Sequence, residues 1–392
     1  MPKYEALTGN DAVAYAMKQA SPDVVAAYPI TPQTSLMEKF AEFVADGEVD
    51  TEMILVESEH SAMSAAVGAA AAGARTMTAT SANGLALMWE IVYIAASSRL
   101  PIVMPVANRA LSAPINIHCD HSDAMGARDS GWIQLWSENA QEAYDNTIQA
   151  VRIAEDPAVR LPVMVNLDGF IISHGMENVE MYDDKKVKAF VGEYKPLVNL
   201  LDLKNPVTIG PLDLQDYYFE HKRQQAQGMM NAEKIIEKAG KEFKTAFGKE
   251  YGIVEGYKLQ DAEFVIVGLG STMGTLKAVI DEARKSGIKA GSLKIRVFRP
   301  FPKDALRTLL KDKKAVAVLD RADSFNAVSG PLYCEVTSAL YGVTKIPVIN
   351  YIYGLGGRDI SVDLLRTLVK ETQVAAKKGV SDRILNYLGV RE

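Results

Sequence analysis

The chain has 392 residues, 48% of them hydrophobic and 23% charged, with 49 acidic against 43 basic side chains and a net charge of −6. That length calls for two cores rather than one, and the mild acidity argues against nucleic acid or an anionic membrane surface as a partner. Two cysteines, Cys119 and Cys334, are too few for a disulfide framework or for an iron–sulfur or zinc cluster in this chain. The first residues lack the apolar core of a signal peptide and no apolar run is long enough to span a bilayer, so a cytoplasmic protein is expected.

Asn10 to Gln19 has helical spacing behind Thr8, and Asp23 to Ala27 reads as a buried strand. In the following YPITPQTS, Pro29 and Pro32 restrict their neighbours and hold Thr31 rigidly at the strand's end, before a helix over Leu36 to Val44. In an open α/β sheet that is the ligand-binding edge; the alternative is a proline-stiffened cap with Thr31 bonding its own backbone.

Met53 to Arg75, MILVESEHSAMSAAVGAAAAGAR, reads as strand, turn and helix, with Ser58 as N-cap and Gly73 as C-cap. Its turn carries Glu57, Glu59 and His60 at the mouth of a helix made almost wholly of small residues, so a flat ligand or another backbone can approach closely. A carboxylate there is suited to acid–base chemistry, or it simply complements the helix dipole.

Thr76 to Thr80 is a predicted strand, SANG a turn, Leu85 to Ser98 an apolar helix and Pro101 to Ala107 another strand. Four strand–helix steps in about a hundred residues imply a parallel sheet covered on both faces. Arg109 follows the last of these strands, in NRALSAPINIHCDHSD, where it suits the two-pronged grip of a carboxylate or an ion pair with Asp120 or Asp123. The His118, Asp120, His121, Asp123 cluster lacks a recognised zinc spacing, and no metal is expected. A helix over Asn139 to Ala154 and a strand over Pro162 to Asn166 lead to Asp168-Gly169 and close a first domain over residues 1–180.

Residues 181–257 read as a connector, with a long polar helix from Tyr217 to Phe247 that is either a solvated strut or laid across a neighbouring subunit. A second α/β domain over 258–392 offers strands at Glu263 to Gly268, Ala290 to Arg296, Lys314 to Asp320 and Val348 to Gly354, with a helix over Thr275 to Ser286. Gly268, Gly270 and Gly274 form GxGxxxG, one residue too long for the dinucleotide fingerprint.

Six motifs in order, YPITPQ, ESEHSA, TATSANGLALM, NRALSAPINIHCDHSD, FRPFP and YGLGGRD, make the chain resemble the alpha subunits of the pyruvate:ferredoxin oxidoreductases, within the thiamine diphosphate-dependent 2-oxoacid:ferredoxin oxidoreductases. The resemblance implies a pyrimidine-binding-type α/β domain followed by a transketolase C-terminal-like α/β domain. It implies that Glu59 bonds the cofactor's pyrimidine nitrogen in a pocket edged by Pro29 and Thr31. Thr31 and Arg109 would hold the keto oxygen and carboxylate of the 2-oxoacid, and Asp120, His121 and Asp123 would support them. The family's GDG…N motif for diphosphate and Mg2+ is missing, which assigns those groups to a beta subunit. Iron–sulfur clusters then fall to a ferredoxin-like delta subunit, with a gamma subunit completing the complex. The implied reaction is oxidative decarboxylation of pyruvate with coenzyme A to acetyl-CoA and CO2, with electrons passed to ferredoxin. The alternatives are a branched-chain substrate such as 2-oxoisovalerate, a non-oxidative thiamine-dependent decarboxylase or transketolase-type component, and a non-catalytic assembly subunit.

Overall fold

The computed structural model describes residues 3–391. Strands and helices largely alternate along the chain and build two parallel-rich sheets, because most β-strands are followed by a helix that returns over the sheet face. The first sheet has seven strands, in the spatial order Val297–Arg299, Ile133–Trp136, Val163–Asp168, Val103–Asn108, Thr76–Met77, Val24–Ala27, Glu52–Leu55. All its pairings are parallel except that of Val297–Arg299 with Ile133–Trp136.

The second sheet orders Leu385–Leu388, Val348–Tyr353, Ala315–Asp320, Phe264–Gly268, Ala290–Ile295 and Val254–Tyr257, the last antiparallel to its neighbour. A two-stranded antiparallel ribbon joins Lys3–Thr8 to Met176–Met181. The central strands of both sheets are buried along their whole length, as parallel strands covered on both faces must be.

Several elements depart from the sequence reading. The strand expected over Thr76 to Thr80 is regular only over Thr76–Met77 and resumes as a single bridge between Thr80 and Val106. The helix expected over Leu85 to Ser98 is two helices, Ala82–Leu87 and Trp89–Ser97, meeting at Met88. Ile133–Trp136, Leu385–Leu388 and the N-terminal ribbon are too short or too polar to announce themselves by periodicity.

The polar helix, Tyr218–Phe247, is no free strut. Gly228, Ala232, Ile236, Ala239, Gly240 and Phe243 form a buried stripe at helical spacing. Ile236 and Phe243 join the core beneath the Ala140–Glu155 helix, each worth roughly 1.5–3 kcal/mol by burial. Among the described residues no helix is long and apolar enough to cross a membrane.

Candidate active site

The Glu59–Ala71 helix starts where predicted: Ser58 is extended, and its hydroxyl accepts from Ser61 N at 3.2 Å. Glu59 is therefore fixed in the first turn, 7% exposed, at the carboxyl end of the Glu52–Leu55 strand. Its carboxylate makes no hydrogen bond or ion pair with any described residue, whereas Glu57 is exposed and takes the Ser61 hydroxyl. In front of Glu59 lies Gly84, where an added Cβ would stand 2.8 Å from Glu59 Oε1 and 2.5 Å from Thr80 Oγ1. Thr80 Oγ1 is itself buried without a partner among the described residues, a state that costs about 1–3 kcal/mol unless a ligand satisfies it. Gly84 thus lets the Glu59 carboxylate and the Thr80 hydroxyl pack against its backbone, and the unpaired carboxylate and orphaned hydroxyl are hydrogen-bonding groups of the kind an aminopyrimidine needs.

The second group lies along the same sheet edge, on the turn after the neighbouring strand Val24–Ala27 and the loop after Val103–Asn108, three strands from Glu52–Leu55. Gln33 braces the YPITPQ turn: its side chain accepts from Ile30 N at 3.2 Å and donates to Ala79 O at 3.0 Å, while Asn10 Nδ2 donates to Pro32 O at 2.7 Å. Thr31 and Pro29 both stand exposed on that turn. Arg109 lies against the Thr31 backbone: Nη1 donates to Thr31 O at 2.9 Å and Nε to Asn116 O at 2.9 Å. Arg109 is 8% exposed, and its Nη2 has no protein partner among the described residues.

The alternative ion pair with Asp120 or Asp123 is not formed. Asp123 is fully buried and accepts from backbone N–H groups instead, from Arg109 and Ala82 at 2.9 Å each and Ala124 at 2.7 Å, and from Asn108 Nδ2 at 2.9 Å. It thus links the arginine to the helix that carries Gly84. Burial pushes its carboxyl up to about 6, against those four hydrogen bonds. Asp120 caps its own turn through Ser122 N at 3.0 Å and receives Gly356 N at 3.3 Å.

His121 belongs to a group that spans both sheets. Its Nε2 lies 2.8 Å from Asp168 Oδ1, and Asp168 Oδ2 accepts from Arg321 Nη1 at 2.8 Å and from Ser271 Oγ at 2.5 Å. Burial alone would raise Asp168, but His121, Arg321 and Ser271 outweigh it and hold the carboxyl well below the usual range. Cys119, His121 and Asp168 bring possible ligand atoms within 4.8 Å of one another, yet the Arg321 guanidinium already occupies that carboxylate. The sequence marks Asp168 only as the partner of Gly169 and gives no sign of Ser271 or Arg321; the one hint is an acid closing an apolar strand.

Residues 15–241 match the family described as pyruvate flavodoxin/ferredoxin oxidoreductase, thiamine diphosphate-binding, and residues 262–365 match the pyruvate:ferredoxin oxidoreductase core domain II. A protein of Thermotoga maritima named pyruvate synthase subunit PorA is 64% identical over 388 residues, 99% of this chain and 98% of that protein. A Methanocaldococcus jannaschii protein of the same name is 51% identical over 96% of each chain.

Among solved structures, a 2-oxoglutarate:ferredoxin oxidoreductase from Magnetococcus marinus superposes with a TM-score of 0.72 at 19% identity. That match covers 95% of this chain and 65% of the other. A split-gene transketolase superposes at 0.54 and 12% identity, over 95% of this chain and 98% of its own. Those two likenesses speak for the fold, and the sequence matches for the lineage. Spanning both family regions and nearly the full length of its relatives, the chain belongs to the pyruvate:ferredoxin oxidoreductase family.

Proposed function

We propose that the chain is the alpha-type subunit of a multi-subunit pyruvate:ferredoxin oxidoreductase, a cytoplasmic enzyme that decarboxylates pyruvate oxidatively with coenzyme A to acetyl-CoA and CO2 and passes the electrons to ferredoxin. The observation that carries this reading is the buried Glu59 carboxylate with no protein partner, facing a glycine at the carboxyl edge of the first sheet. In this reading Glu59 hydrogen-bonds the pyrimidine nitrogen of thiamine diphosphate, and Pro29 and Thr31 edge the same pocket. Bound there, thiamine diphosphate supplies the carbon nucleophile and the electron sink that decarboxylation requires.

The protein's own part is positioning. Arg109, with a guanidinium nitrogen to spare, takes the pyruvate carboxylate, and the Thr31 hydroxyl takes the keto oxygen. Such a grip fixes which carbon–carbon bond is aligned to break. Asp120, His121 and Asp123 hold the loop that carries Arg109.

With two cysteines and no GDG motif, the chain is read as relying on a beta subunit for diphosphate and Mg2+, a delta subunit for iron–sulfur clusters and a gamma subunit. The matching organisation is a pyrimidine-facing unit over residues 1–180, a connector over 181–257 and a transketolase C-terminal-like unit over 258–392.

The test is Glu59→Gln in the assembled complex, assayed with pyruvate, coenzyme A and ferredoxin. The carboxamide keeps the shape and loses the acid, so kcat is expected to fall about tenfold or more with the thermal midpoint unchanged. Wild-type turnover at saturating cofactor would remove Glu59 from the mechanism. Running 2-oxoisovalerate beside pyruvate separates the two substrate classes.

A further inference from the structure

Two motifs named above, NRALSAPINIHCDHSD and YGLGGRD, meet in space, with Asn116 bonded to a glycine 240 residues away. We infer that the Leu355–Gly357 turn, which follows a strand of the second sheet, is the seat that orients Arg109, acting through Asn116 as a positioning residue. This rests on the reading of Arg109 as the carboxylate clamp.

A guanidinium is planar, so whatever fixes Nε and Nη1 also fixes where the unpartnered Nη2 points. Nη1 is held by Thr31 O and Nε by the carbonyl of Asn116. That carbonyl sits in a loop whose other anchors lie at its start, where Leu111 N donates to Ser122 Oγ at 3.0 Å and Ser112 N to Asn83 Oδ1 at 3.2 Å. Ser112 to Ile115 are exposed, and the loop is closed at its base by Ala110 N donating to His118 O at 3.0 Å.

Within it the Asn116 side chain does two things. Its Oδ1 accepts from His118 N at 2.7 Å, and its Nδ2 donates to Gly356 O at 2.9 Å. The turn answers with Gly357 N donating to Cys119 O at 2.6 Å and Gly356 N to Asp120 Oδ2 at 3.3 Å. Approach this close needs glycine twice over: both residues have positive φ, +58° and +78°. A Cβ on Gly356 would lie 2.5 Å from Asn116 Nδ2, and one on Gly357 would collide with His118 Cβ. The second sheet therefore reaches the carbonyl that holds Arg109 through the Asn116 side-chain amide, backed by the contacts of Gly357 N with Cys119 and of Gly356 N with Asp120.

The experiment approaches the seat from both sides, with Asn116→Ala and Gly356→Ala in the assembled complex. KM and kcat for pyruvate, thermal midpoint and amide exchange over residues 110–118 are compared with wild type. The expected result for both variants is a KM raised about tenfold or more, a smaller fall in kcat, and faster exchange over the loop. Gly356→Ala leaves the turn between Asn116 and His118 untouched, so a wild-type KM in that variant overturns the inference. So does a lowered thermal midpoint with unchanged KM in either. Should Asn116→Ala fail to assemble, Gly356→Ala alone decides. Arg109→Ala is run alongside: an unchanged KM there removes the clamp reading itself, whereas a raised KM there with unchanged seat variants overturns the seat alone.

Discussion

Asp123 shows how one side chain can serve a site without touching its ligands. Its carboxylate gathers the backbone N–H groups of Ala82, Arg109 and Ala124 and the side chain of Asn108, which ties the end of one strand to the start of the helix beside Glu59. Burial is the larger effect on its proton and lifts the folded value to about 6, above the ordinary carboxylate value of 3.8.

The folded chain consequently binds a proton below about pH 6 that the unfolded chain releases until near pH 4, so this group adds stability as pH falls through that window. Asp123→Asn removes the titration whatever else it costs. The thermal midpoint of the wild-type complex minus that of the variant is expected to widen between pH 7 and pH 5; a constant gap would show that Asp123 does not titrate there.

At the scale of elements, the cofactor cradle is made by what the helices lack. Beyond its first two residues Glu59–Ala71 carries only Met63 and Val67 as side chains larger than serine, and Ala82–Leu87 presents Gly84 to the Glu59 carboxylate. Gly84→Ala would place a methyl group 2.8 Å from Glu59 Oε1, closer than a carbon can sit, so the carboxylate must swing aside. Roughly a tenfold or greater loss of kcat is expected, because displacement of an acid by about an ångström is costly in rate. The helix is short and Gly84 has an ordinary φ, so circular dichroism should remain that of the wild type. Retained activity in Gly84→Ala would mean that nothing needs to lie close to Glu59.

At the scale of the whole molecule, the two sheets are joined by charge as well as by strand exchange. Val297–Arg299 leaves the second sheet's neighbourhood and pairs with Ile133–Trp136 of the first. Next to that crossing, Lys294 is almost fully buried among Glu138, Glu142 and Glu255, which hold its ammonium above the usual range despite burial. Arg296 meets Asn146 and Gln149. At the carboxyl edge, Asp168 holds His121, 47 residues before it, and Arg321, 153 residues after it, together. Asp168→Asn would leave Arg321 buried without its counter-charge, a loss of about 3–5 kcal/mol for a broken buried pair. A clearly lowered thermal midpoint is expected, and an unchanged one would show that the sheets do not depend on this lock.

Local pattern was enough to read two parallel sheets, the capped helix behind Glu59, the braced turn at Thr31 and an arginine after a strand, because each depends on residues within a few positions of one another. The same pattern overran at Thr76 to Thr80 and at Met88, where tertiary contacts ended elements that propensity would have continued. It offered Arg109 a ligand carboxylate or, as the alternative, an ion pair with Asp120 or Asp123, and did not foresee the carbonyls of Thr31 and Asn116. Which atoms an arginine reaches, which carboxylate stays unpaired and which glycines let Leu355–Gly357 touch Asn116 are matters of packing between segments hundreds of residues apart. Side-chain chemistry follows from composition and spacing along the chain, whereas the pairing of those groups is settled only when the two sheets close on one another and exclude water between them.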